Sequence, residues 1–243
     1  MRDRRPFLAA AMNAGARILT TFVLALVLLL PGVAGAADDF SAAEQALFID
    51  NHLDKLRPPL TLHYGYRKTG TLEAAFDDNV DVMLTAQADG MCCAASARFF
   101  TGARAMRQPE VEGAQGNPAI LYFLERDIRE MQRLTRGNAN YFRKRIRMAL
   151  YQGASIRDLT LQYRGRPVAV REFSISPYLD DPNRPRYEKL ANKQYLFMLS
   201  DGVPGRLYAI RTRIDGESAD APPLLVEEMI LDGAEPAPSV RQP

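Results

Sequence analysis

Cys92 and Cys93, in the run GMCCAAS over 90–96, are the only cysteines among 243 residues, and His52 and His63 are the only histidines. Neighbouring thiols could bind a metal, cycle between dithiol and disulfide, or cross-link. Adjacent side chains of a regular β-strand point to opposite faces, so the two sulfurs should diverge, sharing no ion and closing no disulfide. A redox pair normally has two residues between its cysteines and sits at a helix N-terminus. The expectation is therefore Cys93 as a small core residue and Cys92 on the other face. There, in an oxidising compartment, Cys92 could form an intermolecular disulfide.

Neither histidine has a second histidine or a cysteine at ligand spacing, and no Gly-x-Ser-x-Gly elbow is present. His63 reads as a solvated imidazole on the polar face of a strand. Two acidic pairs remain, Asp77-Asp78 and Asp180-Asp181. Paired loop carboxylates can hold calcium or serve as acid and base, and Asp180, Asp181 and His63 in one cleft would make a hydrolase-type enzyme. The run DDPN over 180–183 is equally ordinary turn chemistry, with Arg184 and Arg186 near enough for local ion pairs. No catalytic residue, metal or cofactor is assigned, and the reading leans away from an enzyme.

The basic residues carry more weight. Between Asn117 and Glu172 there are twelve cations against five carboxylates, while the C-terminal part after Ile214 is acidic. Basic helices packed near that acidic end would balance the charge. Alternatively, Arg136, Arg143, Lys144, Arg145 and Arg147 bind an anionic ligand or partner, such as a lipid headgroup or an acidic protein surface. Arginine outnumbers lysine, which suits bidentate contacts to carboxylate or phosphate.

The elements that must position these residues follow from periodicity. Ser41 and Glu44 have capping-box spacing, so a helix is expected over 42–53. The run LTLHYGYRKTGTL alternates, with Leu60, Leu62, Tyr64 and Tyr66 on one face. NVDVMLTAQADG does the same, and Asp89-Gly90 is a hairpin turn that sets the register: Gln87 opposite Cys92, Ala86 opposite Cys93, Leu84 opposite Ala95. A polar stretch over 101–116 reads as loop. Asn117-Pro118 caps a helix whose Ile120, Leu124, Ile128, Met131 and Leu134 recur at helical spacing up to Gly137. A second helix over 141–152 buries Phe142, Ile146 and Leu150. RDLTLQY, RPVAVREFSI, KQYLFMLS, RLYAIRTRI and LLVEEMIL are strands, with one helical turn near 187–191. Hairpins dominate and strand-helix-strand crossovers do not recur. The expected class is α+β: a curved, mostly antiparallel sheet of about eight strands with two central helices packed on one face.

Arginines crowd the N-terminus, an apolar run follows over 18–31, and Ala34-Gly35-Ala36 fits small-x-small cleavage, so 1–36 reads as a signal peptide cut after Ala36. The run is shorter than the ~20 residues that span a bilayer. RRPFL over 4–8 resembles a twin-arginine signal, although Asn13, Gly15 and Arg17 separate it from the apolar run, and both export routes stay open. The chain carries a formal charge of +2 with 47% apolar and 25% charged residues. Without the leader it is near neutral, which together with export argues against nucleic acid. One domain over 37–233 and a disordered tail over 234–243 complete the expected organisation.

The runs EGAQGNPAILYFLERDIREMQRLTRGNANYFRKRIRMAL and SPYLDDPNRPRYEKLANKQYLFMLSDGVPGRLY resemble a family of exported Gram-negative bacterial proteins of unknown function. The layout is similar to that of the periplasmic lipoprotein carriers, half-open β-barrels that hold acyl chains, and fold does not by itself imply function. The resemblance implies a secreted, periplasmic protein, not membrane-integral once processed. The leading expectation is a non-enzymatic protein that binds an apolar or amphiphilic ligand, anionic or not, in a groove between sheet and helices. The alternative is an assembly or maturation factor that contacts another envelope protein.

Overall fold

Nine antiparallel strands form one sheet in a computed structural model that describes residues 40–87, 92–218 and 220–237. The expected leader, the Asp89-Gly90 turn and residues 238–243 lie outside the described residues. The strands are β1 (Leu60–Thr69), β2 (Phe76–Ala86), β3 (Cys92–Phe99), β4 (Met106–Val111), β5 (Ser155–Tyr163), β6 (Arg166–Ile175), β7 (Gln194–Leu199), β8 (Leu207–Ile214) and β9 (Leu225–Leu231). Their order is β4-β3-β2-β1-β9-β8-β7-β6-β5. Two meanders are thus joined side by side through β9, which pairs with both β1 and β8. The α+β class and the antiparallel sheet stand as expected, with one strand more.

The extra strand, β4, falls in the stretch read as loop. Its sequence, MRQPEV, lacks an apolar alternation and contains Pro109, which a ladder tolerates at an edge. An edge strand that buries little has little reason to display period-2 hydrophobicity.

Among the described residues the α-helices are α1 (Ala42–Glu44), α2 (Pro118–Thr135), α3 (Ala139–Gly153) and α4 (Arg184–Tyr187). Ser41 caps α1 in a full capping box with Glu44, and the helix then widens into a π-helical stretch, Gln45–Ile49. It ends four residues earlier than expected. Asn117 Oδ1 accepts from the Ala119 N–H at 3.1 Å to start α2, and Pro118 occupies the first turn. Asn138 caps α3 in the same way. Among the described residues no helix is long and apolar enough to cross a membrane.

The core lies between α2, α3 and the inner face of the sheet. Leu62, Tyr64 and Tyr66 on β1, Val80, Val82 and Leu84 on β2, and Leu225, Met229 and Leu231 on β9 point inward, as the alternation requires. Ala119, Ile120, Phe123, Ile128 and Met131 of α2 and Phe142, Ile146 and Leu150 of α3 close over them. Strand β8 is buried along most of its length on both faces. Residues 234–237, expected as tail, help cover it: Ala234 bridges to Tyr163, the Glu235 N–H donates to Gln162 O, and Ala237 O accepts from Arg211 Nη2 at 2.7 Å.

The register near the cysteines departs from the expected one. Leu84 faces Ala95, as counted from the turn, but Thr85 faces Ala94 and Ala86 faces Cys92, with a shift between Thr85 and Ala86. The pleat is interrupted there, so neighbouring side chains need not diverge, and Cys92 and Cys93 are joined to each other in a disulfide. The expectation of two separated thiols, with Cys92 available to another molecule, held for a regular strand and is corrected by this irregularity. Cys93 is fully buried, as the inward assignment requires.

Candidate binding groove

The outward side of the helical layer carries an apolar groove of about 360 Å³. Its floor and walls are Phe48 and Ile49 of the π-helical stretch, Leu121, Leu124 and Ile128 of α2, and Ile146 and Leu150 of α3, with Phe40 at one end. Leu121, Phe40 and Ile49 are 54%, 45% and 42% exposed and together give the groove an apolar border open to solvent. Arg143 and Arg147, one turn apart on α3, line the same groove, as do Glu125 and Glu44. The groove exists because α2 turns a second apolar stripe, Leu121, Leu124 and Ile128, toward the π-helical stretch, and Ile146 and Leu150 at the edge of the single apolar stripe of α3 complete its lining.

The rim charges are arranged unequally. Arg143 grips Glu125 through two parallel hydrogen bonds, Nε to Oε1 at 2.7 Å and Nη2 to Oε2 at 2.6 Å. These hydrogen bonds hold the Glu125 carboxyl below its usual range. Arg147 lies 4.0 Å from Glu44, and its side chain is 79% exposed. The cation more open to an incoming anion is therefore Arg147.

Of the other cations singled out from sequence, Lys144 and Arg136 are exposed and make no ion pair among the described residues. Arg145 turns away from the groove: its Nε lies 3.0 Å from both Pro177 O and Asp181 Oδ2. Charge balance across the basic stretch is mostly local. Arg133 pairs with Glu130 and Glu73, Arg157 with Glu172, and Arg171 with Asp158, while Arg126 alone of these reaches the acidic C-terminal strand.

The space between α2 and the sheet, where sequence reasoning placed the groove, holds a charged network. Lys193 Nζ donates to Asp127 and, at 3.3 Å, to Glu227 Oε2. Arg126 Nη2 and Tyr66 OH each donate to Glu227 Oε1 at 2.7 Å, Thr212 Oγ1 to Oε2 at 3.1 Å, and Tyr195 OH to Asp127 Oδ2 at 2.6 Å. Burial opposes ionisation of Glu227, yet Lys193 and Arg126 outweigh it and hold the carboxyl well below the usual range. Burial likewise disfavours the Lys193 ammonium, but Asp127 and Glu227 more than offset it and raise its pKa. Two cations and two anions offset one another, and each carboxylate oxygen accepts at least one hydrogen bond. This arrangement tethers α2 to β1, β7, β8 and β9.

Sequence reasoning missed this network. Its signal was a charge at an inward position of an otherwise apolar pattern: Glu227 alternates with Leu225 and Met229, and Asp127 lies four residues from both Phe123 and Met131.

His63 and Asp181, two of the residues considered for an enzymatic site, have separate partners. His63 Nδ1 meets Asp81 Oδ1 at 2.8 Å on the exposed side of β1, and Arg98 also pairs with Asp81. Asp181 is buried against α3, where Oδ1 accepts from Tyr141 OH at 2.9 Å and from the Asn183 N–H at 2.7 Å. His63 and Asp181 share no hydrogen bond or ion pair among the described residues. Asp77 and Asp78 lie on β2 rather than in a loop and part to opposite faces: Asp77 meets Arg67 at 2.9 Å, Asp78 meets Arg104 at 3.2 Å. His52 is buried and spent structurally. Its Nδ1 accepts from the Asn117 N–H at 2.9 Å, which leaves the proton on Nε2, 2.7 Å from Ala46 O.

No protein-family model matches the chain, and no curated protein sequence is recognisably similar to it. Among solved structures, lipoprotein LppX of Mycobacterium tuberculosis superposes at a TM-score of 0.30 and 10% identity, over 73% of this chain and 87% of that one. A LolA superfamily protein of Nitrosomonas europaea superposes at a TM-score of 0.20 and 10% identity, over 79% of this chain and 92% of that one. At these scores neither neighbour assigns this chain a ligand.

Proposed function

We propose that the protein is a non-enzymatic binding protein for an amphiphile, whose acyl chain lies in the groove between the π-helical stretch, α2 and α3 and whose anionic head meets Arg147 and Arg143. The observation that supports this is the groove itself: an open apolar channel of about 360 Å³ with two arginines at its rim. Its volume falls in the range of small-molecule sites, which are mostly apolar with a few polar groups to orient the ligand. Burying about eight methylenes gains about 6 kcal/mol, from which the cost of immobilising the ligand is subtracted. Arg147 adds preference for a carboxylate or phosphate head over a neutral one.

The reading places the mature chain, from Ala37 onward, in the periplasm of a Gram-negative bacterium. The N-terminal arginines, apolar run and small-x-small site support that location. The test is titration of the purified protein with monomeric oleate, read by native mass spectrometry and calorimetry. One oleate should bind per chain, and Leu121→Asp, at an exposed position, should abolish binding while the protein stays folded. Equal affinity in wild type and Leu121→Asp would overturn the reading.

A further inference from the structure

The groove is set in a surface of distinctive composition. On α3, Lys144 and Tyr151 stand next to Arg143 and Arg147 around the helix, and on α2, Arg129 follows Glu125 by one turn. Arg129, Arg136 and Lys144 are exposed and unpaired among the described residues. With Arg143 and Arg147 they make five cations against Glu44 and Glu125. Among these charges stand large apolar side chains open to solvent: Leu121 and Tyr151 at 54% and Phe40 at 45%.

We propose that this outward face of α2 and α3 seats the protein on an anionic lipid bilayer, so that the groove receives its acyl chain directly from the leaflet. The proposal rests on the amphiphile reading above. Basic residues flanking exposed apolar ones are what an interfacial element needs: the apolar side chains enter the headgroup boundary and the cations meet the lipid phosphates. Long cationic side chains lie along apolar surface while their heads reach outward, so both contacts form at once. A soluble acidic protein would satisfy the cations but leave Leu121, Tyr151 and Phe40 without an apolar partner unless it carried a matching cavity. Charge alone does not separate the two partners; the interleaved apolar side chains favour the bilayer.

The experiment is co-sedimentation of the processed protein with phosphatidylcholine vesicles containing or lacking phosphatidylglycerol, run beside the oleate titration. Binding should require phosphatidylglycerol and weaken with salt. Each basic residue near an anionic surface contributes about a factor of five, so Arg129→Ala with Lys144→Ala should lower vesicle affinity about 25-fold. Both sites are exposed helix positions that tolerate alanine, and neither lines the groove, so oleate affinity in solution should be unchanged in the double variant. Absence of vesicle binding alongside intact oleate binding would overturn the membrane proposal while sparing the groove, and would point to an acidic protein partner. Vesicle binding that ignores both phosphatidylglycerol and the double substitution would also overturn it. Loss of oleate binding in the wild type, by contrast, would count against the groove reading itself.

Discussion

Lys193, the residue just before β7, and Glu227, in the middle of β9, meet at 3.3 Å in the interior with side chains 2% and 0% exposed. Around them Arg126 and Asp127 bring the set to two cations and two anions, and Tyr66, Tyr195 and Thr212 donate to the two carboxylates. This cluster joins α2 to the second meander at the strand that unites both halves of the sheet. A buried ion set need not stabilise more than apolar packing would, but breaking it from one side is costly.

Glu227→Gln should therefore destabilise the fold by about 3–5 kcal/mol, because Arg126 and Lys193 lose their shared counter-charge. A lower urea midpoint with unchanged slope is the expected reading. Lys193→Met and Asp127→Asn, combined, should cost less than the sum of the singles by about 1–3 kcal/mol, as expected of directly bonded partners. Additive costs would mean that the two side chains do not interact.

Stability should fall at both ends of the pH scale. Burial lowers the His52 pKa in the folded state, so its contribution is present above the unfolded value of about 6.5 and is lost as pH falls below it. The depressed Glu227 carboxyl adds a second loss below about pH 4.5. In the alkaline range burial raises the Tyr64, Tyr66, Tyr178 and Tyr195 hydroxyls, and the Lys193 pKa is raised too. Their contribution is intact below about pH 10 and disappears above it. Thermal melts across the pH range, with tyrosinate absorbance followed at 295 nm as a spectroscopic handle (about 10 being the unperturbed pKa), would show a broad plateau between these limits. A steady rise in stability up to pH 11 would contradict the alkaline limb (about one unit above that pKa).

Asn117 should be the most sensitive cap. Its Oδ1 starts α2, and its Nδ2 donates to Tyr64 OH at 2.9 Å and Gly205 O at 2.8 Å. Asn117→Ala removes the cap and strands two buried acceptors, about 3 kcal/mol in total. Gly205→Ala should be comparably damaging: the residue has φ +68°, and a Cβ there would lie 2.8 Å from Asn117 Nδ2 and 2.7 Å from Leu62 Cδ1. Chemical denaturation of the two variants checks both values.

At the groove, Arg147→Ala should reduce oleate affinity about two- to fivefold and leave a neutral amphiphile of equal chain length unaffected, the size expected of an exposed charge contact. Arg143→Ala should have the smaller effect, because its fork is already taken by Glu125. Paired calorimetric titrations with oleate and a neutral monoglyceride measure the difference. A larger loss at Arg143 would relocate the headgroup.

The sequence by itself determined the class of fold and most of its elements, because those follow from local periodicity and caps. Asn117-Pro118, the apolar spacing from Ile120 to Leu134, and the alternation of Leu60 to Tyr66 each state their element within one short stretch of chain. Edge strand β4 escaped notice because an element that buries little need not display a pattern. The tertiary structure decided what the faces do. The pairing of β9 with β1 spans more than 150 residues and brings Glu227 beneath Arg126, a relationship with no local signature. It filled the expected cavity with charge, sent Arg145 to Asp181, and left Arg143 and Arg147 beside an apolar groove on the opposite side of the helices. At the bulge beside Ala86 it also brought the sulfurs of Cys92 and Cys93 together, because a two-residue alternation rule holds only while the pleat is regular.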